Sequence, residues 1–123
     1  MIYVYIVAGA VLGAPARYFL QGRVQELSGP GFPWGTLVVN LSGCLVIGFI
    51  ATLAFERELL SREARAFLMV GFLGSYTTFS TFGWETFELA RELDFVRAAA
   101  NVFASVLLGL AGVWLGSALA RSL

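Results

Sequence analysis

Residues 71–82 read G-F-L-G-S-Y-T-T-F-S-T-F, so the hydroxyls of Ser75, Thr77, Thr78, Ser80 and Thr81 and the Tyr76 phenol crowd a stretch with no charged side chain. Hydroxyls donate and accept hydrogen bonds without carrying net charge, which suits contact with water or a small ion better than contact with lipid. Gly71, Gly74 and Gly83 weaken helix formation, and a break near Gly74 to Thr78 would free backbone carbonyl oxygens. Freed carbonyls need a partner. A coordinated cation is one solution; water or hydroxyl side chains are the other. Phe79 and Phe82 are three apart and share a helical face, extended backward by Tyr76 and Phe72. Such a stripe either packs the interior or, because phenyl edges are electropositive, lines a path for an anion.

A second polar set follows Pro33-Trp34-Gly35. Thr36, Asn40 and Gly43 share one helical face. The Asn40 amide either bonds a neighbouring helix or directs its NH₂ donors into an aqueous path. Asn101 and Ser105 share a face in the last apolar stretch, ahead of Gly112-x-x-x-Gly116, a small-residue packing pattern. Glu85 reads as a solvated carboxylate or as the partner of Arg17 or Arg91.

The elements that position these groups follow from composition. The 123 residues are 59% hydrophobic and 13% charged, with a mean hydropathy of +0.81, whereas about 25% of residues are charged in an ordinary soluble domain. A bilayer core roughly 30 Å thick needs about 20 apolar helical residues to cross it. Residues 1–16, 34–55, 66–84 and 98–120 carry no charge. The prediction is one all-α membrane domain, residues 1–123, with four transmembrane helices near 2–22, 34–55, 66–89 and 98–120, the third broken near its middle. The N-terminal Met-Ile-Tyr-Val has no basic residue, which argues against a cleaved signal peptide.

Several function classes are excluded. Eight arginines balance eight acids, so no basic excess exists to hold nucleic acid. With no histidine and one cysteine, Cys44, the chain lacks the parts for a His-based triad, a common zinc site or a disulfide framework. Four crossings put Arg57, Arg62, Arg65 and Arg121 on the side of the termini and Arg17, Arg23, Arg91 and Arg97 on the other. Orientation follows an excess of cytoplasmic Lys and Arg, so an even tally permits insertion both ways and pairing of opposed copies. The alternative is a single orientation, with Arg17 inside the protein or the N-terminal amine tipping the balance.

The pattern resembles the Fluc (CrcB-type) fluoride channels. The likeness rests on G-x-x-x-G-A-P-A-R-Y at 9–18, P-W-G-T-L-x-V-N-x-x-G at 33–43, the T-T-F-S-T-F string within 71–82, and Asn101 with Ser105. It implies a multi-pass protein of a bacterial or archaeal plasma membrane, working as an antiparallel, dual-topology homodimer. Two pores per dimer would pass fluoride out of the cell, around a central structural Na⁺ that is not transported. The resemblance assigns the Na⁺ to backbone carbonyls of Gly74 and Thr77, and the fluoride path to Asn40, Phe79, Phe82 and Ser105. Thr36, Ser80, Thr81 and Glu85 match polar residues beside that path, and Arg17 matches a vestibule arginine. Asn101 stands one turn before Ser105, where some relatives supply a tyrosine hydroxyl nearby.

Two rivals are distinguishable. A small multidrug-type proton antiporter also has four short spans, but needs a membrane-embedded carboxylate, and the first span offers none. A membrane scaffold would use Gly and Thr for packing alone and conduct nothing.

Overall fold

The computed structural model describes residues 1–123 and is helical throughout, without strands. Helix α1 spans Ile2–Ser28 and α2 spans Trp34–Ala51, continuing through a wider π turn at Thr52–Glu56. Helix α3, residues 62–76, is α-helical at its ends and π-helical over Ala66–Leu73. Helix α4 is Phe79–Arg91 and α5 is Phe95–Arg121. Three helices are long and apolar enough to cross a membrane: α1, the α2 unit Trp34–Glu56, and α5. The third apolar stretch falls outside that set because Thr77 and Thr78 divide it into α3 and α4.

The ends differ from the sequence expectation where polar side chains satisfy the backbone. Helix α1 does not stop near residue 22. Arg23 pairs with Glu26 3.1 Å away, and Gln25 donates to the Gly29 and Phe32 carbonyls at 2.8 and 3.0 Å while accepting from the Gly35 amide at 3.2 Å. One glutamine thereby holds the whole connection to α2. Gly29 and Gly31 take φ of 82° and 106°, conformations that side chains disfavour. At the other connections Ser61 caps α3 by accepting from the Ala64 amide at 3.1 Å, and Asp94 caps α5 by accepting from the Arg97 amide at 3.2 Å.

Packing follows the glycines. Helix α2 runs along α5, and α1 runs along the π-helical part of α3. These contacts are backbone against backbone: a Cβ at Gly9 would lie 2.2 Å from the Phe67 carbonyl oxygen, and one at Gly116 would lie 2.0 Å from that of Leu45. Small residues at helix interfaces let backbones approach where lipid offers no hydrophobic driving force between helices. Only 21 of 123 residues are buried within the chain, so most of its apolar surface faces outward. Helix α4 differs from the rest, touching mainly α5.

Glycine at a contact and glycine in the open should respond oppositely. Gly116→Ala should lower stability by about 1–3 kcal/mol through overpacking. Gly22→Ala, with nothing within 4 Å of the new Cβ, should stabilise α1 by about 0.5–1 kcal/mol. Thermal melting in detergent micelles checks both.

Candidate functional site

The geometry turns on the two residues between α3 and α4. Thr77 and Thr78 are both extended, with φ/ψ of −86°/160° and −149°/115°. In an unbroken helix the Thr78 amide would donate to the Gly74 carbonyl and the Thr81 amide to the Thr77 carbonyl. Both donors are diverted. The Thr78 amide donates to Asn40 Oδ1 at 2.8 Å, and the Thr81 amide donates to Thr78 Oγ1 at 3.2 Å. Asn40 completes the clamp by donating from Nδ2 to the Thr78 carbonyl at 2.9 Å. The Gly74 and Thr77 carbonyls are thus among those that lose their helical donors, and Gly74 is exposed on the surface of the chain.

Asn40 thus acts as a bond between helices, one of its two sequence readings, and it also lines a cleft. That cleft, about 450 Å³, brings together Asn40, Phe79, Phe82 and Ser105 with Gly74, Thr77 and Thr78. Four separate elements contribute to it. Gly43 allows the approach: a Cβ there would lie 2.2 Å from the Thr77 methyl. Asn40 and Gly43 meet the break, whereas Thr36, on the same face, meets Gln21 and Glu85.

The aromatic stripe is not continuous. Phe72 and Tyr76 stack before the break, with ring centroids 5.8 Å apart, and Tyr76 is buried with its hydroxyl 2.8 Å from Ser42 Oγ. Phe79 and Phe82 form a separate tilted pair at 5.6 Å after it, and Phe79 is 83% exposed. Extended residues between the pairs cancel the helical register on which a common face depended. Packing within the chain buries Tyr76 of the first pair, while in the second Phe82 is half-buried and Phe79 is uncovered.

A second cleft, about 630 Å³, lies between the ends of α1, α2 and α4 and holds Thr36 and Glu85 with Gln21, Glu88 and Glu92. Gln21 donates to Thr36 Oγ1 at 3.0 Å, and the Thr36 hydroxyl donates to Glu85. Glu85 is therefore partnered by neither Arg17 nor Arg91; Arg91 pairs with Glu88. Helical spacing explains this, since Glu88 is one turn from Arg91 on the same face. The sequence reading missed Gln21, whose signal was an uncharged polar residue one turn beyond Arg17.

The remaining positions lie apart. Thr81 Oγ1 accepts from Thr78 Oγ1 at 3.0 Å, Ser80 is exposed, and Arg17 is half-buried with no carboxylate in salt-bridge range. None of the three lines either cleft. Asn101, 2% exposed, donates to Thr86 Oγ1 at 2.9 Å and stays outside the Ser105 cleft.

Removing the clamp should release the break. Asn40→Leu should cost about 1–3 kcal/mol, the penalty of a buried hydrogen-bonding group left unpaired, and should speed hydrogen exchange at the Thr78 amide. Asn101→Leu should leave that amide's exchange rate unchanged. Exchange mass spectrometry on peptides covering residues 74–82 distinguishes them.

Comparison with known proteins agrees in extent and kind. The family model described as CrcB-like protein, Camphor Resistance (CrcB), matches residues 4–117. The chain is 51% identical over 117 residues to the fluoride-specific ion channel FluC of Geobacter sulfurreducens, covering 95% of this chain and 94% of that one. It is 48% identical over 118 residues to the protein of that name from Rhodospirillum rubrum, covering 94% and 92%. It is 49% identical over 121 residues to the one from Solibacter usitatus, covering 98% and 99%. The matches run from the first helix to the last and take in the break and both clefts: this chain belongs to the CrcB family of membrane proteins.

Proposed function

We propose that the protein is a fluoride-selective channel that lets toxic fluoride leave the cell by passive flow. The observation that carries this reading is the cleft at the break, where uncharged donors and aromatic rings from separate elements meet. In this reading α3 and α4 together make a fourth crossing of a bacterial plasma membrane. Two copies insert in opposite orientations and form an antiparallel homodimer with two pores. The even arginine tally supports it, as does the surface left by one copy: Phe79 uncovered and Gly74 exposed beside an open cleft.

Lipid cannot hydrogen-bond a free carbonyl. The carbonyls of Gly74 and Thr77 are two oxygen donors close in the chain, a set that suits a hard monovalent cation. Doubled by a second copy, they would hold a structural Na⁺, whose chemistry is to compensate those dipoles and tie the copies together.

Stripping a small anion of water in a low-dielectric medium costs tens of kcal/mol, whereas a hydrogen bond to a charged group returns about 1.5–3 kcal/mol. No single donor suffices, so the path must combine several with partial hydration. Phe79 and Phe82 present ring edges. Ser105 presents a hydroxyl, and Asn40 has a second Nδ2 hydrogen beyond the one given to Thr78. Thr36, Glu85, Ser80 and Thr81 form the polar flank of the path, and Arg17 draws anions toward a vestibule. No arginine lies in residues 66–84, which keeps binding weak enough for rapid exit.

Purified protein in liposomes should release fluoride and retain chloride. Phe79→Ile and Phe82→Ile should each reduce fluoride flux at least tenfold without dissociating the dimer, and wild-type flux in both would remove the rings from the path. Asn40→Asp should suppress flux by placing a carboxylate beside the anion. Accessibility labelling of one introduced terminal cysteine, in a background with Cys44 replaced, should reach both sides of the membrane; labelling from one side only would exclude opposed insertion.

A further inference from the structure

Beside the start of α1 and the connection from α2 to α3, a groove of about 290 Å³ lies apart from the Glu85 cleft and shares Met69 with the cleft at the break. Its lining is apolar, from Ile2 and Ile6 of α1, Phe55, and Met69 and Val70 of α3, except for Arg62 and Arg65. The two arginines are three apart on α3 and so share a face. The Arg65 guanidinium lies 5.5 Å from the Phe55 ring centroid, which fixes its position at the rim.

Neither guanidinium is compensated. The ion pairs of the chain use Arg23, Arg91, Arg97 and Arg121, and Arg57 donates to the carbonyls of Ala120 and Leu123. Of the nearby acids, Glu56 is held by Arg121, and Glu58 and Glu63 do not line the groove. Arg17, also without a carboxylate, lies elsewhere.

Two free guanidiniums above an apolar trough, at the end of membrane-crossing helices, describe the complement of one kind of molecule. It must carry a phosphate anion joined to hydrocarbon. We propose that this groove binds an anionic phospholipid, its phosphate on Arg62 and Arg65 and an acyl chain along Ile2, Ile6, Met69 and Val70. Arginine grips phosphate with two parallel N–H bonds, and basic residues at helix ends attract anionic headgroups. A zwitterionic lipid offers the same phosphate but brings a cation that the uncompensated rim repels. The assignment is independent of which ion crosses the membrane.

Native mass spectrometry of the whole protein, released from micelles containing equal phosphatidylglycerol and phosphatidylcholine, tests it. Wild type should retain mainly phosphatidylglycerol. Arg62→Gln with Arg65→Gln should lower the ratio of retained lipids about thirtyfold, and either change alone about fivefold, should the double variant not elute as a single species. Lysine at both positions should restore most of the preference. Equal retention of the two lipids by wild type, or an unchanged ratio in the glutamine variants, would overturn the proposal. So would an equal fall on Arg91→Gln at the opposite end of the molecule, or displacement of the lipid by inorganic phosphate at matched concentration, which would mark a free-anion site. Fluoride efflux from phosphatidylcholine liposomes, unchanged in the variants, shows that the fold survives.

Discussion

Two hydrogen bonds exchanged between the Asn40 carboxamide and the Thr78 backbone hold the third apolar stretch open where a continuous helix would pair every peptide group. In hydrocarbon a helix satisfies its own backbone, and any departure leaves polar groups that nothing in the lipid will meet. A break therefore survives only if side chains take over the donors it releases. Asn40 takes one and the Thr78 hydroxyl takes another. Released carbonyls, those of Gly74 and Thr77 among them, remain outside that settlement, in residues that line the cleft with Phe79, Phe82 and Ser105. The same two bonds close off one set of polar groups and present another.

Much of this was legible in residue types. Uncharged lengths marked the apolar stretches, and the hydroxyl-rich string with its glycines marked the place of the break. The shared face of Thr36, Asn40 and Gly43 followed from spacing, because a 3.6-residue period fixes which side chains align, but that Asn40 meets the break is seen only in the fold. Register across the break was not legible. The aromatic series Phe72, Tyr76, Phe79 and Phe82 keeps a helical spacing in sequence and loses it in space, since two extended residues reset the direction of the chain. The helix ends were obscured for another reason. Polarity marks where lipid stops, whereas helix α1 stops where Gly29 turns the chain, one and a half turns later.

Partner choice among polar side chains was the least readable quantity. Glu85 had two arginines within plausible reach by sequence and bonds a threonine instead, while Arg91 takes the glutamate one turn away. Local pairs on one helix face are available to the isolated helix, and a cross-helix pair must await packing. The chain from Gln21 through Thr36 to Glu85 joins three helices and is visible only once α1, α2 and α4 are set together.

The glycine contacts bear on how such a protein is mapped genetically. Where a Cα faces a neighbouring carbonyl oxygen, as at Gly9 and Gly116, no repacking of side chains makes room, because the obstacle is main chain. A side chain at those positions would obstruct the fold itself, although neither glycine lines a cleft. A screen that scores only a loss of activity would rank them alongside residues that line a cleft, and separating the two groups requires measuring how much folded protein each allele leaves in the membrane.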